Sequence, residues 1–135
     1  MGNLKILYIE DDGDDREMLR DAFVEEGAAV DLSFAENGAE ALEFLKLAHQ
    51  GKEALPDLVV LDLNLPLIDG REAFCEIKRE GLLGEIPLVV YSSSLNPADR
   101  NFFGAFGVEF IEKPDLVQQL GDIVARMLRK CRAAS

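Results

Sequence analysis

Acidic, hydroxyl and basic side chains follow four of the apolar segments of this chain, directly where each segment ends. If the segments are strands of an open α/β sheet, these side chains lie outside the carboxyl ends of the strands, where such sheets bind ligands. The residues are Glu10-Asp11-Asp12 after the first segment, Asp62 after the third, Ser92-Ser93-Ser94 after the fourth and Lys113-Pro114 after the fifth.

The acidic members of this set point to a cation site. If the first and third strands are neighbours, Asp11 and Asp62 converge, with Glu10 close by. Two carboxylates about 4 Å apart repel each other by roughly 4 kcal/mol at an effective dielectric constant near 20, which favours a cation between them. Mg²⁺ prefers oxygen ligands and needs one or two protein carboxylates. Lys113 is positioned to add a further positive charge.

Each signal also has a simpler interpretation. Asp12 or Asp14 fits the N-cap of the following helix. The cluster Glu10–Asp12, taken alone, fits a cap as well as it fits a site. Ser92–Ser94 fits an ordinary loop, and Lys113 fits a surface charge beside a turn proline. The joint placement of all four signals at strand ends favours a site.

Five short apolar segments alternate with five longer segments of helical period. Three segments are nearly all apolar, which is typical of parallel strands covered on both faces: Leu4–Ile9, Leu58–Leu61 and Pro87–Tyr91. The second alternates, with Val30, Leu32 and Phe34 on one face, and the fifth, Val108–Glu112, mixes charge with bulk, so both fit edge strands. Strict βα alternation predicts a doubly wound, five-stranded parallel sheet with five helices in three α/β/α layers.

The helices have recognisable ends. The first is predicted from about Asp14 to Glu26, with Gly27 as its left-handed stop. Asn37 is predicted to cap the second helix, and Asn96-Pro97 to open the fourth. An apolar stripe from Leu116 to Cys131 predicts the last helix.

The composition excludes several classes of function. A formal net charge of −12 opposes binding to nucleic acid and to anionic membranes. His49 is the single histidine, and Cys75 and Cys131 are far apart, so no zinc spacing is present. No signal peptide or run of about 20 apolar residues is seen, so a cytoplasmic protein is expected. A length of 135 residues suits one domain, residues 1–135.

These motifs together resemble the receiver domain of two-component response regulators. They are ILYIEDD, LVVLDLNLPLIDG, IPLVVYSSS and EFIEKP, which run in order over the whole chain, and DLNLPLIDG is the most specific of them. The resemblance implies the flavodoxin-like strand order 2-1-3-4-5. It also implies a stand-alone receiver without an output domain, a signalling phosphoacceptor and not an enzyme that turns over an external substrate.

The resemblance assigns a role to each site residue. Asp62 is expected to take a phosphoryl group from a phosphohistidine on a sensor histidine kinase or a histidine phosphotransfer protein. Glu10 and Asp11 are expected to hold Mg²⁺ together with Asp62 and the backbone carbonyl of Asn64.

Three further residues are expected to bind the phosphoryl group or to respond to phosphorylation. Ser92 is expected to hydrogen-bond to a phosphoryl oxygen, and Lys113 to pair with the phosphoryl group. The peptide bond from Lys113 to Pro114 is expected to be cis. Phe110 stands where the family often has a switching Tyr, so it can move inward but cannot form a phenolic hydrogen bond.

The output is expected to be a protein–protein contact. Receivers usually bind partners through the fourth helix, fifth strand and fifth helix, and Phe102, Phe103 and Phe106 crowd the fourth helix here. At least one of them should be core and one near the surface, marking the face for an unknown downstream protein or for a homodimer.

Two other classes of function remain open. An aspartate-nucleophile phosphatase would also place Asp after an apolar strand, but it usually has a second Asp two residues on, where this chain has Asn64. A pseudo-receiver would keep the fold without phosphorylation, and the complete set Asp11, Asp62, Ser92 and Lys113 argues against it.

Overall fold

Five parallel strands form one sheet in the order β2-β1-β3-β4-β5, which confirms the predicted topology. The structure, a computed structural model, describes residues 3–63, 70–93 and 96–131. Within those ranges the strands are β1 Leu4–Ile9, β2 Val30–Ala35, β3 Leu58–Leu61, β4 Leu88–Ser92 and β5 Glu109–Glu112. The helices are α1 Gly13–Glu25, α2 Gly38–His49, α3 Gly70–Arg79, α4 Pro97–Ala105 and α5 Leu120–Lys130.

The central strands are covered on both faces, which explains their continuous apolar sequences. Successive side chains of a strand point to opposite faces, so each central strand feeds two cores. One core packs against α1 and α5 and includes Ile6, Tyr8, Leu58, Val60, Val89 and Tyr91. The other packs against α2, α3 and α4 and includes Leu7, Ile9, Val59, Leu61, Leu88 and Val90. The result is the predicted three-layer arrangement.

β2 and β5 occupy the two edges of the sheet. Both are less buried than the central strands, and each keeps polar side chains towards solvent. The alternating pattern of the second segment and the mixed pattern of the fifth therefore identified the edge strands correctly.

Side-chain caps fix the start of three helices. The carboxylate of Asp12 accepts hydrogen bonds from the backbone N–H groups of Asp14 and Asp15. Asn37 caps α2 and Asn96 caps α4 in the same way. These caps satisfy donors that the first turn of a helix leaves without an intrahelical partner.

The prediction for the last helix is wrong at its beginning. The chain forms a 3₁₀ turn at Val117–Gln119, and α5 starts only at Leu120. Leu116 is 53% exposed and lies outside the apolar stripe to which its spacing assigned it. The spacing continued one turn beyond the helix because a periodic pattern does not show where the helix begins.

In the part of the chain described by the structure, no helix is both long and apolar enough to cross a bilayer.

Candidate functional site

The carboxyl ends of β1, β3 and β4 bring three predicted site residues into the interior. Strand pairing places Ile9 beside Leu61 and Leu61 beside Val90, so the residues that follow these strands are neighbours. Glu10, Asp62 and Ser92 are 2%, 3% and 0% exposed, and they are the three buried polar side chains among the described residues. Burying ionisable carboxylates is costly unless charges and hydrogen bonds compensate, so this pocket requires a counter-charge.

Lys113 supplies that counter-charge from the end of β5. Its Nζ lies 2.7 Å from Oε1 of Glu10, 2.8 Å from Oδ2 of Asp15 and 2.9 Å from Oδ2 of Asp62. An ammonium group has three N–H donors, so each donor has one carboxylate. The backbone N–H of Lys113 also donates to the carbonyl of Ser92 at 3.0 Å, which ties the lysine to the end of β4.

Asp15 is a member of the site that the sequence reasoning missed. It stands in the first turn of α1, where the helix dipole also favours an acidic residue. From the sequence, a cap and a site fitted the cluster Glu10–Asp12 equally well, and the structure separates the two roles. Asp12 caps α1, while Glu10 and Asp15 contact Lys113.

Burial and the neighbouring charges shift the pKa values of Glu10 and Lys113. Burial raises the pKa of Glu10 to about 8, and the hydrogen bond with Asp62 adds to the rise, although Lys113 opposes it. Burial alone would lower the pKa of Lys113, but its bonds to Asp15, Glu10 and Asp62 outweigh burial and raise it above its ordinary range. Lys113 therefore stays charged, whereas Glu10 keeps a proton in the metal-free pocket up to about pH 8.

Two buried tyrosines lie beneath this cluster. The hydroxyl of Tyr8 donates to Oε1 of Glu10 at 3.3 Å, and the Lys113 Nζ lies 5.6 Å from the centroid of the Tyr91 ring. The sequence reasoning counted both residues as strand core, because their apolar neighbours gave no sign that they reach the site. The Nε of Arg16, on α1, donates to the backbone carbonyl of Glu10 at 2.6 Å.

The remaining predicted residues are placed less centrally. The side chain of Asp11 is exposed and is not part of the group formed by Glu10, Asp15 and Asp62. Its backbone N–H donates to Oε2 of Glu10 at 3.1 Å. Asn64 lies outside the described residues.

The end of β5 differs from one expectation. The Lys113–Pro114 bond is trans, since no cis peptide bond occurs among the described residues, and this corrects the expected cis bond. Phe110 is half-buried in β5, and the guanidinium carbon of Arg100 lies 4.7 Å from the centroid of its ring.

The donor set fits a divalent cation that prefers oxygen. One carboxylate oxygen from each of Glu10, Asp15 and Asp62 lies within 4.8 Å of the others. Oxygens on opposite sides of Mg²⁺ are separated by about 4.2 Å, given Mg–O distances of 2.0–2.1 Å, so small side-chain rotations would be sufficient. A cation in this position would also stabilise the ionised form of Glu10.

Comparison with known proteins decides the family. Residues 6–125 match the response regulator receiver domain family. The chain belongs to this family. Receiver domains are the phosphoacceptors of two-component signalling, they bind divalent metal ions and they receive phosphate from histidine kinases.

Individual relatives agree with this assignment. The receiver is 36% identical over 94 residues to the Probable methanogenesis regulatory protein FilR2 of Methanothrix harundinacea, covering 70% of this chain and 61% of FilR2. It is 35% identical over 95 residues to response regulator Rcp1 of Synechocystis, covering 70% of this chain and 65% of Rcp1. The matched region thus spans less than two thirds of either relative.

Solved structures show the same fold over nearly the full length. The crystal structure of the phosphorylated cyanobacterial phytochrome response regulator RcpA superposes with a TM-score of 0.85 at 31% identity, covering 99% of this chain and 97% of RcpA. The Mn²⁺-bound form of Rcp1 gives a TM-score of 0.79 at 29% identity, covering 92% of this chain and 91% of Rcp1.

Proposed function

We propose that this receiver accepts a phosphoryl group on Asp62 from a phosphohistidine, in a Mg²⁺-dependent reaction, and signals through protein–protein contacts. The observation that carries the proposal is the buried pocket at the carboxyl edge of the sheet, where the Lys113 ammonium lies 2.9 Å from a carboxylate oxygen of Asp62. An acyl phosphate on Asp62 would bring further negative charge into an almost fully buried position, and the Lys113 ammonium is placed to neutralise it.

The reaction is a displacement at phosphorus. A carboxylate oxygen of Asp62 forms a bond to phosphorus as the bond from phosphorus to the imidazole nitrogen breaks, and the imidazole leaves with the electron pair. Phosphoryl transfer needs an in-line nucleophile and neutralisation of charge on the equatorial oxygens. Asp62 provides the nucleophile, and its burial keeps competing water away from the carboxylate.

Glu10, Asp11, Asp62 and the backbone carbonyl of Asn64 are the residues we propose to hold Mg²⁺. When bound, Mg²⁺ would supply positive charge against the phosphoryl oxygens. Glu10 is already oriented by Tyr8 and Lys113. Asp11 is adjacent and solvent-facing, a position open to water ligands as well.

Lys113 and Ser92 are proposed to stabilise and report the phosphorylated state. The Lys113 ammonium already contacts the Asp62 carboxylate. One of its N–H groups can therefore redirect its hydrogen bond from Asp62 to a phosphoryl oxygen with little movement of the side chain. Ser92 is fully buried at the end of β4, so a shift of its hydroxyl towards the phosphoryl group would be felt by the packing around it. Phe110 on the neighbouring strand is proposed to follow by moving inward.

The phosphodonor is proposed to be a histidine kinase or a histidine phosphotransfer protein that docks beside α1 and the loop after Pro114, with the exchange taking place in the cytoplasm. Met18, Leu116 and Val117 are exposed apolar residues on this side, and a cavity of about 410 Å³ lies between α1 and the start of α5. Exposed apolar side chains on α1 and before α5 suit contact with a partner protein.

The output is proposed to use the α4 face, either towards a downstream protein or in a homodimer. Phe103 is fully buried, whereas Phe106 is 50% exposed at the end of α4, as expected for a cluster with one core member and one surface member. Phe102 contacts both rings, with centroids 5.0 Å and 5.3 Å away. Phe106→Ala should weaken self-association or partner binding in analytical ultracentrifugation, whereas Val24→Ala, on exposed α1, should not. Equal behaviour of both variants with the wild type would rule out this face.

The test of the proposed function is intact mass after incubation with Mg²⁺ and acetyl phosphate. We expect one added phosphoryl group that survives for minutes, that does not form when EDTA replaces Mg²⁺, and that is absent in Asp62→Asn. Asp122→Asn, which removes an exposed carboxylate from α5, should behave as wild type. Multiple-turnover release of phosphate would favour a phosphatase, and no adduct under any condition would favour a pseudo-receiver.

A further inference from the structure

The ion pair between Asp15 and Lys113 has a geometry that the roles of the other site residues do not explain. Glu10 and Asp62 follow strands and are almost fully buried, but Asp15 reaches Lys113 from α1 and its side chain is 33% exposed. The Lys113 side chain, 15% exposed, therefore lies between two buried carboxylates and one at the rim of the pocket.

We propose that Asp15 is a positioning residue that holds the Lys113 ammonium at the α1 side of the pocket, so that a divalent cation and Lys113 can share Glu10 and Asp62. This inference rests on the proposed function, because it concerns how the cation site and the lysine coexist. It assigns Asp15 no contact with the phosphoryl group.

Lys113 and a divalent cation would compete for the same carboxylate oxygens. In the structure, Lys113 takes Oε1 of Glu10 and Oδ2 of Asp62, and these carboxylates are also in the group that fits a cation. A divalent ion held there would repel the ammonium, which would then give up part of its bonding to Glu10. Asp15 is the remaining carboxylate, 2.8 Å from Nζ, and its side chain is the most exposed of the three.

Loss of the Asp15 carboxylate has a defined consequence. The ammonium would be left with Glu10 and Asp62 as its partners. A cation would then have to displace the ammonium from these buried carboxylates, and no third carboxylate would be there to accept it. Asp15→Asn should therefore weaken Mg²⁺ binding by about tenfold, through coupling to Lys113. Asp14→Asn removes a neighbouring charge from the same helical turn and should change the affinity by no more than about twofold.

A double-mutant cycle separates this role from direct coordination. Mg²⁺ affinity is measured by calorimetry for the wild type, Asp15→Asn, Lys113→Met and the double variant. If Asp15 acts through Lys113, Asp15→Asn should weaken Mg²⁺ binding in the wild-type background. In the Lys113→Met background, its effect on Mg²⁺ affinity should be no larger than that of Asp14→Asn. A similar loss in both backgrounds would make Asp15 a direct ligand and overturn the proposal, as would equal effects of Asp15→Asn and Asp14→Asn.

A second measurement needs no metal and no phosphorylation. Nitrogen-edited NMR of the metal-free protein detects lysine ammonium groups whose protons exchange slowly, and Lys113→Met assigns the signal of Lys113. Asp15→Asn should speed exchange at Lys113, Asp15→Glu should restore part of the protection, and Asp14→Asn should leave it unchanged. Unchanged exchange in Asp15→Asn would overturn the proposal. If the wild type bound no Mg²⁺, the proposed function would fail, while this signal would still decide whether Asp15 holds Lys113.

Discussion

The hydroxyl of Tyr8 donates a hydrogen bond to Oε1 of Glu10 at 3.3 Å, two residues further along the chain at the end of β1. Residues two apart share one face of a strand, which is why a core tyrosine of β1 can reach the first acidic residue of the site. Burial, followed by the charge of Glu10, raises the pKa of Tyr8 far above its ordinary value. The phenol therefore stays protonated and remains a donor to Glu10.

Replacing Tyr8 by Phe should test this contact. The variant keeps the ring in the core but removes a donor from the almost fully buried carboxyl group of Glu10, so the free energy of unfolding of the metal-free protein should fall by about 1–3 kcal/mol. Urea titration followed by circular dichroism measures the change. Tyr91→Phe is the matched control, because Tyr91 offers its ring to Lys113, and it should cost clearly less. An equal loss in both variants would assign the effect to core packing.

The raised pKa of Glu10 predicts how stability depends on pH. The pKa moves from 4.5 to about 8, so between these values the folded, metal-free protein keeps a proton that the unfolded chain releases. The free energy of unfolding should therefore fall as pH rises from about 4.5 to about 8. Urea titrations in EDTA across this range measure the slope, and Glu10→Gln should remove this contribution. A slope that is the same in wild type and Glu10→Gln would contradict the assignment.

Glu109, at the start of β5, predicts a pH dependence of stability opposite in sign to that of Glu10. Its carboxylate pairs with Arg126 at 2.7 Å and Lys130 at 2.9 Å, and Lys130, with Arg126, holds the pKa of Glu109 below its ordinary value. Glu109→Gln should cost about 0.5–1 kcal/mol at pH 7 in low salt. The difference from wild type should shrink as pH falls below about 4.5 and as salt is added. Glu112→Gln, whose pairing distance to Arg100 is 3.8 Å, should have the smaller effect; a larger one would be inconsistent.

Gly70 should be intolerant of a side chain. A Cβ at this position would lie 2.6 Å from the Cα of Leu63 and 3.0 Å from the carbonyl oxygen of Asp62. Gly70→Ala should therefore lower the free energy of unfolding by about 1–3 kcal/mol and slow phosphorylation, because the backbone at Asp62 must shift.

Gly104 provides the comparison within a helix. A Cβ there meets nothing within 4 Å, and Ala is a better helix former than Gly, so Gly104→Ala should raise stability by about 0.5–1 kcal/mol. Thermal unfolding of both variants gives the answer, and equal changes would show that the close approach at Gly70 is not the cause.

The sequence was sufficient to predict those parts of the site that follow from strand topology. Glu10, Asp62, Ser92 and Lys113 each end a strand, so parallel pairing alone brings them to one edge. Asp15 was not predictable in this way, because its reach depends on how α1 is tilted over the sheet. The strand ends carry no information about that angle.

The same limit applies to elements that were misjudged. Leu116 has the spacing of a helical core residue but is exposed, because the chain makes a 3₁₀ turn before α5. Tyr8 has the position of a core residue and is one, yet its hydroxyl also serves Glu10. Periodicity indicates which face a side chain occupies, but it does not indicate what the polar end of that side chain contacts.

The pair of tyrosines beneath Lys113 also gives this protein a built-in optical probe. The chain contains two tyrosines and no tryptophan, and the rings of Tyr8 and Tyr91 lie 6.2 Å apart. All of its intrinsic ultraviolet emission at phenolic wavelengths therefore originates next to Glu10 and Lys113. Fluorescence of the unlabelled wild-type protein should report occupation of the pocket directly, without a reporter residue being introduced.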